Sequence, residues 1–365
     1  MQISDLKFGI CNLQCSVIHL MELKEFIYEL PGSLVAAYPA RDRAEARLMV
    51  VNRTTGELAH SRFSSVGEFL RAGDLLALND TRVVPARLRG RKESGGKAEV
   101  LLLEPFPNWP GLWIALVDSS KRPALGSRIF FAEGFSAKVL GEIGRGRYGL
   151  WFRYEGDFME QLAKLGEPPL PPYVQRGRDP EPCDWERYQT VYASSPGAVA
   201  APTAGFHFTP ELLDRLKSQG VEAAFLTLHV GPGTFQPVRQ EVVEQHHMEG
   251  ERYLLKAEAA GKIERAKKDG RRVVAVGSTT TRALEWIARR KGRVEADEGI
   301  ARLFIRPGDS FRVLDGLITN FHLPGSTPLI LVAAFAGLDL VRRAYQEAIR
   351  LKYRFYSYGD AMLIL

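Results

Sequence analysis

Three short stretches each place one histidine among small, hydroxyl or amide side chains, where an imidazole could either pack or act on a bound molecule. They are "APTAGFHFT" around His207, "LTLHVGPG" around His229 and "TNFHLPGST" around His322. The first has no acidic residue, Lys or Arg, although 25% of the chain is charged. His229 falls at the carboxyl end of a predicted strand, where ligands of open α/β sheets gather. A packed or hydrogen-bonded histidine is the alternative for His207 and His229.

A predicted strand "RRVVAV" runs directly into "GSTTTR", followed by a helix that we expect to open at Arg282. Backbone N–H groups at a helix start, the Ser278, Thr279 and Thr280 hydroxyls and the guanidinium would together form an anion cradle. The alternative is an ordinary Ser/Thr helix cap. The G-x-x-x-x-G-K-[ST] spacing of a phosphate-binding loop is absent.

Two other polar groups have both a chemical and a structural interpretation. "NDTR" ends a strand and pairs Asp80 with Arg82, either as part of a site or as a turn with an ion pair. Lys121 and Arg122 fall in a predicted turn, where they either touch phosphates or form a solvated loop. The adjacent His246 and His247 do not share a helical face, so we predict no metal site.

The bulk composition indicates a two-domain globular protein. The chain has 365 residues, 45% of them hydrophobic, and a net charge of +6 with three cysteines. The charge is compatible with a polyanionic partner. The few scattered thiols favour a reducing compartment, and we predict the cytoplasm. No apolar run reaches the roughly 18 residues of a membrane span, so no membrane partner is expected. Residues 1–20 look like an extension ahead of a second natural start at Met21.

The pattern of elements changes twice along the chain. Between residues 83 and 154, six short strand-like runs are separated by Gly, Pro and Asn, which predicts a small closed barrel. Strands alternate with helices after residue 170, which predicts an α/β layer with parallel strands. The predicted fold class is therefore α/β: a main domain of residues 21–75 and 156–365, with a barrel of residues 76–155 inserted into it.

Long stretches of the chain resemble the S-adenosylmethionine:tRNA ribosyltransferase-isomerase family of queuosine biosynthesis. They follow the family order from about Leu23 to Leu365: "YELPGSLVAAYP", "GDLLALNDTRVVPARL", "LPPYV", "YQTVYASSPGAVAAPTAGFHFT", "LHVGPGTFQPV", "VAVGSTTTRALE", "DGLITNFHLPGSTPLILVAAFAG" and "YRFYSYGDAML". The resemblance implies an α/β domain with an inserted antiparallel β-barrel of six strands.

The resemblance also implies an activity. The ribosyl part of S-adenosylmethionine would be transferred and isomerised onto 7-aminomethyl-7-deazaguanine at the tRNA wobble position, giving epoxyqueuosine-tRNA, adenine and methionine. S-adenosylmethionine would be a consumed co-substrate, with no metal or separate cofactor, and we expect a monomer. A non-catalytic tRNA- or RNA-binding module and a phosphate-handling hydrolase are the alternatives.

In this chemistry a base removes a proton next to the sulfonium, an acid assists the departing adenine, and a clamp holds the methionine carboxylate. The resemblance and the residue chemistry together predict the following roles: proton transfer or other catalytic work by His207, His229, His322 and Asp80; substrate binding by Arg82, Thr203, Gly205, Thr234, Glu251, Ser278, Thr279, Thr280, Arg282 and Asn320; tRNA binding by Lys121 and Arg122. Arg282 with Ser278 and Thr279 is the predicted carboxylate clamp. The family usually has M-H-x-E where this chain has Met248-Glu249-Gly250-Glu251, so Glu251 is retained and Glu249 replaces a His.

Overall fold

A computed structural model describes residues 20–365 except 107, 145, 172, 175–179, 232 and 234–237. The predicted extension, apart from Leu20, therefore lies outside the described residues, as does Thr234. Among the residues that are described, no helix has the length and apolarity to cross a bilayer.

The main domain is built on a nine-stranded mixed sheet. Its order is β15-β13-β12-β3-β14-β16-β17-β1-β2. Parallel pairing joins β12 to β3, β3 to β14, β14 to β16, and β17 to β1. The strands are β1 (Arg47–Val51), β2 (Leu58–Arg62), β3 (Leu75–Asn79), β12 (Glu222–Leu228), β13 (Glu251–Leu255), β14 (Val273–Val276), β15 (Asp297–Ala301), β16 (Gly316–Asn320) and β17 (Ala361–Ile364).

Apolar side chains on both faces explain why the central strands lie inside the domain. Every residue of β3, β14 and β16 is buried, as expected for strands covered on two sides. Leu75 and Ala77 of β3 pack into one core, and Leu76 and Leu78 pack into the other. Helices cover both faces: α3 (Pro210–Ser218) packs on one, and α4 (Ala257–Lys268), α5 (Ser278–Lys291), α6 (Thr327–Ala336) and α7 (Leu338–Arg350) pack on the other.

Helix ends follow their local signals, with one exception. Thr209 caps α3 by accepting from the Leu212 N–H at 3.2 Å, and Pro210 occupies the first turn. Ser326 caps α6. The exception is α5, which begins at Ser278 and not at Arg282. The β14 strand turns sharply into this helix at Gly277, whose φ of 91° suits a residue without Cβ.

Six antiparallel strands form a closed barrel, as the six short runs predicted. The order around the barrel is β10-β7-β6-β5-β8-β9. Closure removes the exposed strand edges, and the interior is filled by alternate apolar side chains such as Leu88, Val100 and Ile129. The strands are β5 (Arg87–Lys92), β6 (Lys97–Pro105), β7 (Leu112–Asp118), β8 (Arg128–Ala132), β9 (Phe135–Gly144) and β10 (Arg147–Arg153).

The elements at the two ends of the predicted 76–155 segment divide differently between sheet and barrel. Strand β3 belongs to the large sheet although most of it falls inside that segment. Helix α1 (Phe158–Leu165) follows the segment, yet Phe158 and Leu162 pack in the barrel core. A two-stranded parallel sheet lies where the chain enters the barrel; it consists of β4 (Thr81–Val83) and β11 (Ser195–Ala198). The short helix α2 (Asp184–Arg187) precedes β11 in the chain.

One edge of the large sheet gathers the stretches that were singled out in the sequence. The parallel strands β3, β12, β14 and β16 all end there. Because β17 runs antiparallel to β16, its first residue pairs with Asn320 at the same edge, and Leu48 of β1 pairs with that residue in turn. Polar loops that follow distant strands are therefore brought together by the topology.

Candidate active site

A cavity lies at this edge, beyond the ends of β14 and β16. It contains about 600 Å³ of empty space including its opening to solvent. Of the predicted site residues, the cavity is lined by Thr203, Ser278, Thr279, Asn320 and His322. Its wall also includes Val230, Gly277, Thr319, Tyr173, Tyr356 and Ser357. The convergence of these loops is what the sequence reasoning required.

The start of helix α5 forms one wall of the cavity. Ser278 and Thr279 line it, and the first N–H groups of a helix have no partner within the helix. The Thr280 hydroxyl instead donates to the Val276 carbonyl at 2.7 Å and is fully buried, so its predicted role in substrate binding is not supported by its position. Asn79, a residue that the sequence reasoning did not select, donates to Thr279 Oγ1 at 3.3 Å and holds the helix start against β3.

Arg282 is paired inside the protein, which contradicts the predicted clamp geometry. The residue is 4% exposed, and its guanidinium forms an ion pair with Glu251. Nε donates to the Leu303 carbonyl at 3.0 Å. Glu251 also accepts from the Gly231 N–H at 3.1 Å. The pair therefore joins α5, β13 and the loop after β12, because the helix starts one turn before Arg282 and turns this residue towards the protein interior.

His322 lies in the cavity wall and is held on several sides. Its ring Nε2 is 2.7 Å from the Thr319 hydroxyl. Its backbone N–H donates to the Tyr345 hydroxyl at 3.0 Å, and its backbone carbonyl accepts from the Tyr28 hydroxyl. Burial lowers the pKa of His322 to about 3. The imidazole is therefore neutral at pH 7, and protonation inside the site would make it a strong acid.

His207 lies behind the cavity wall. It was predicted to act in the site, but it does not line the cavity. Its Nε2 accepts from Asn320 Nδ2 at 3.1 Å, which leaves the proton of the neutral ring on Nδ1. Asn320 Oδ1 in turn accepts from the Thr203 hydroxyl at 3.0 Å. The ring packs on Phe63 at 5.0 Å, and burial lowers the pKa of His207 to about 4. His207 thus orients the two cavity residues in front of it.

His229 and Asp80 form a second polar group on the barrel side of the same sheet edge. His229 Nδ1 is 2.9 Å from the Thr81 hydroxyl, and Asp80 accepts from Thr227 at 2.6 Å and Ser194 at 2.9 Å. Burial, and to a smaller extent the charge of Arg252, lower the pKa of His229. Val230, the residue after His229 in the chain, lines the cavity.

A glycine lies under the His229 ring. A Cβ on Gly197 would lie 2.8 Å from the nearest ring atom. The sequence signal for this group was the strand alternation that places Thr227 and His229 on one face. Ser194 and Gly197 gave no signal of their own, because only the pairing of β11 with β4 brings them to this place.

Several other predictions differ from the positions that the structure gives. Arg82 is exposed and donates to the Ala193 carbonyl at 2.8 Å, whereas Asp80 is bound by hydroxyl groups. Gly205 is buried beside Tyr192, where a Cβ would come within 2.1 Å of the hydroxyl, so its role is to leave space. Lys121 and Arg122 are exposed on the barrel, and Arg122 contacts Glu142 at 3.3 Å.

Two tyrosines complete the cavity wall. The rings of Tyr173 and Tyr356 lie 4.8 Å apart, and the Tyr173 hydroxyl is 2.6 Å from Ser357 Oγ. Tyr356 has a φ of 73°, which is uncommon for a non-glycine residue and turns the chain at this point. Among the aromatic residues of "YRFYSYGD", Tyr353, Phe355 and Tyr356 pack in the core, and Tyr356 also lines the cavity.

Comparison with known proteins agrees with this arrangement. The Queuosine biosynthesis protein family matches residues 23–364. The chain is 49% identical to the S-adenosylmethionine:tRNA ribosyltransferase-isomerase of Syntrophotalea carbinolica over 94% of this chain and 100% of that one. It is 51% identical to the protein of that name from Pelobacter propionicus, with the same coverage.

A solved structure is also similar. The crystal structure of an S-adenosylmethionine tRNA ribosyltransferase from Thermotoga maritima covers 93% of this chain and 100% of its own, with 37% identity and a TM-score of 0.53. The resemblance seen in the sequence is thus confirmed over almost all of the described residues. The chain therefore belongs to the queuosine biosynthesis protein family, together with these S-adenosylmethionine:tRNA ribosyltransferase-isomerases.

Proposed function

We propose that this chain transfers and isomerises the ribosyl part of S-adenosylmethionine onto 7-aminomethyl-7-deazaguanine at the wobble position of tRNA. Epoxyqueuosine-tRNA, adenine and methionine are the products. The observation that carries the proposal is one cavity in which a helix start, an amide, a half-buried imidazole and an aromatic wall meet. S-adenosylmethionine is a consumed co-substrate, and the sulfonium itself supplies both the acidity and the leaving group, so the scheme needs no separate cofactor.

The start of α5 is the place for the methionine carboxylate. Ser278 and Thr279 offer hydroxyls, and the free N–H groups of the first turn carry the positive end of the helix dipole. This assignment replaces the guanidinium of Arg282 as the clamp, because that group is neutralised by Glu251.

Proton transfer falls to the neutral histidines at this edge. His322 lies in the cavity wall, where its neutral imidazole can accept a proton from the substrate and pass it to departing adenine. His229 is the second candidate, because the Thr81 contact occupies only Nδ1. We assign contact with a base extruded from the anticodon loop to Tyr356, because this aromatic residue lines the cavity.

The RNA-binding alternative explains the basic surface but gives no reason for a cavity lined by a half-buried imidazole and a helix start. The deciding experiment incubates the protein with S-adenosylmethionine and tRNA bearing the precursor base, and measures free adenine. Release of adenine that requires the precursor base supports the proposal. Binding of the tRNA without adenine release, with unmodified tRNA as the matched control, would contradict it.

A further inference from the structure

A basic concavity lies beside the cavity, at the same edge of the large sheet. Arg47 begins β1 and pairs with Arg62 at the end of β2. Since β16, β17 and β1 are neighbours in the sheet, Arg47 is about two strand spacings, about 10 Å, from Asn320. The charged residues of this concavity, here called the basic concavity, are Arg41, Asp42, Arg43, Glu45, Arg47, Arg62, Glu186, Arg187, Lys352, Arg354 and Asp360.

The basic concavity adjoins the cavity of the candidate active site through shared lining residues. A narrow cleft lies between them and is lined by His207, Tyr358 and Ser357. Ser357 also lines the active-site cavity. At its other end the cleft shares Arg43 and Arg187 with the basic concavity. An RNA strand whose backbone lies in the basic concavity would therefore pass beside the active-site cavity.

The guanidinium groups at the junction of cleft and concavity are held by backbone carbonyl groups. Arg43 donates to the carbonyls of Phe206 at 3.2 Å and Glu186 at 3.0 Å. Arg187 donates to the carbonyls of Arg41 at 3.1 Å and Ala40 at 2.6 Å. Carbonyl oxygens hold a guanidinium in position but carry no formal charge to neutralise it. Burial and the nearby Arg187 both lower the pKa of Arg43, as expected of like charges held together.

Carboxylates balance only part of the remaining charge. Asp360 contacts both Arg47 and Arg354, so one carboxylate faces two guanidinium groups. Glu45 pairs with Arg62 at 3.4 Å. Arg41 and Lys352 are exposed at the rim of the concavity. With Asp42 and Glu186 included, seven cationic side chains line the concavity against four carboxylates, so cationic groups are in excess for an incoming anion.

We propose that the basic concavity binds the phosphate backbone of the RNA strand that carries the reacting base. The surface favours a polyanion for a physical reason. Seven cationic side chains line it, so several phosphates of one strand can be bound at once, whereas a small anion would contact only a few of them. The inference rests on the proposed function, because it is the reacting base that places the strand next to the cavity.

The test replaces two rim cations. In Arg41→Ala/Lys352→Asn both charges are removed, and Asn suits the φ of 55° at position 352. The control, Lys217→Ala/Lys268→Ala, removes two exposed cations from the last turns of α3 and α4, which lead into the starts of β12 and β14 at the opposite sheet edge. Binding of tRNA with the precursor base is measured between 50 and 200 mM salt, because over about this range each phosphate contact changes the binding constant measurably.

We expect the rim variant to weaken tRNA binding about tenfold and to reduce the salt slope of log K by about 1 for each charge removed. The apparent Michaelis constant for S-adenosylmethionine should stay within about twofold of the unsubstituted protein, because no ground-state contact to it is lost. Affinity and slope equal to those of the control variant would overturn the inference. Failure of the proposed function has a different signature, since the unsubstituted protein would then bind tRNA with the full slope and release no adenine.

Discussion

At the scale of single residues, three imidazoles with lowered pKa values dominate the site, and His207 is the most buried of them. His322 lines the cavity, His207 supports Asn320 from behind, and His229 contacts Thr81. The residue types were evident in the sequence, but their division into a group in the cavity wall and a group behind it depends on side-chain direction. That direction is set by the loops, for which no periodic pattern exists.

His322→Gln should lower kcat by about 100-fold or more, because the amide cannot transfer a proton but can keep the contact to Thr319. Steady-state adenine release measures the effect, and binding of S-adenosylmethionine by calorimetry serves as the control. If kcat falls by less than about tenfold while S-adenosylmethionine binding is unchanged, His322 does not carry the proton transfer.

His207 should make the fold sensitive to acid. Its pKa is about 4 in the folded chain and about 6.5 in the unfolded one, so the unfolded state binds more protons between these values. Stability is therefore complete above pH 6.5 and falls as the pH drops towards 4. Between pH 6.5 and 5 the loss should be about 2 kcal/mol larger than in His207→Gln. Urea unfolding at the two pH values measures it, and equal losses in both proteins would contradict the assigned environment.

Gly205 tests the interpretation that this position leaves space. In Gly205→Ala the new Cβ would meet the Tyr192 hydroxyl, and overpacking should cost about 1–3 kcal/mol. The Tyr192 hydroxyl is buried and has no hydrogen-bond partner among the described residues, so Tyr192→Phe alone should be neutral or stabilising. The double variant should recover part of the loss in urea unfolding. No recovery would show that a different contact, such as Thr190, decides the cost.

At the scale of elements, the turn from β14 into α5 decides which side chains reach the cavity. The helix begins at Ser278, four residues earlier than the sequence predicted, so Arg282 belongs to its second turn. Threonine hydroxyls that bond back to the preceding carbonyls allow "STTT" to open a helix, although threonine has modest helix propensity. The predicted helix start was wrong because propensity alone disfavours this run.

The ion pair between Arg282 and Glu251 fastens α5 to β13. Arg282→Leu should destabilise the protein by about 3–5 kcal/mol, because it leaves a buried carboxylate without a counter-charge. Arg282→Leu/Glu251→Leu should be less destabilised than the sum of the single variants. Urea unfolding of the four proteins completes the cycle. If Arg282→Leu instead keeps its stability and raises only the apparent Michaelis constant for S-adenosylmethionine, the guanidinium binds the substrate after all.

At the scale of the whole molecule, a large sheet positions the cavity and a closed barrel is inserted beside it. The alternating strands and helices and the six short runs predicted both parts. Strand β3 and helix α1 were assigned to the wrong sides because each is continuous in sequence with the part to which it does not belong. The family and the class of enzyme that were predicted from the sequence are confirmed by the relatives.

The barrel offers a separate tRNA contact that can be tested. Lys121 is exposed, whereas Arg122 is paired with Glu142. Lys121→Ala should therefore reduce the salt slope of tRNA binding by about 1, and Arg122→Ala should change it less. Identical slopes for Lys121→Ala and the unsubstituted protein would mean that this loop does not touch phosphates.

The amino-acid sequence by itself determined the two-part architecture, the family and the stretches that form the site, because periodicity, turn residues and long motifs are local properties. Only the tertiary structure decided which members of those stretches face the cavity. Arg282 turns inward to Glu251, and His207 lies behind Asn320. Tyr356, in the loop before β17, and Asn79, at the end of β3, come to the site from distant parts of the chain. Those outcomes depend on strand order and on charge pairing across the sheet, which couple residues that no local pattern connects.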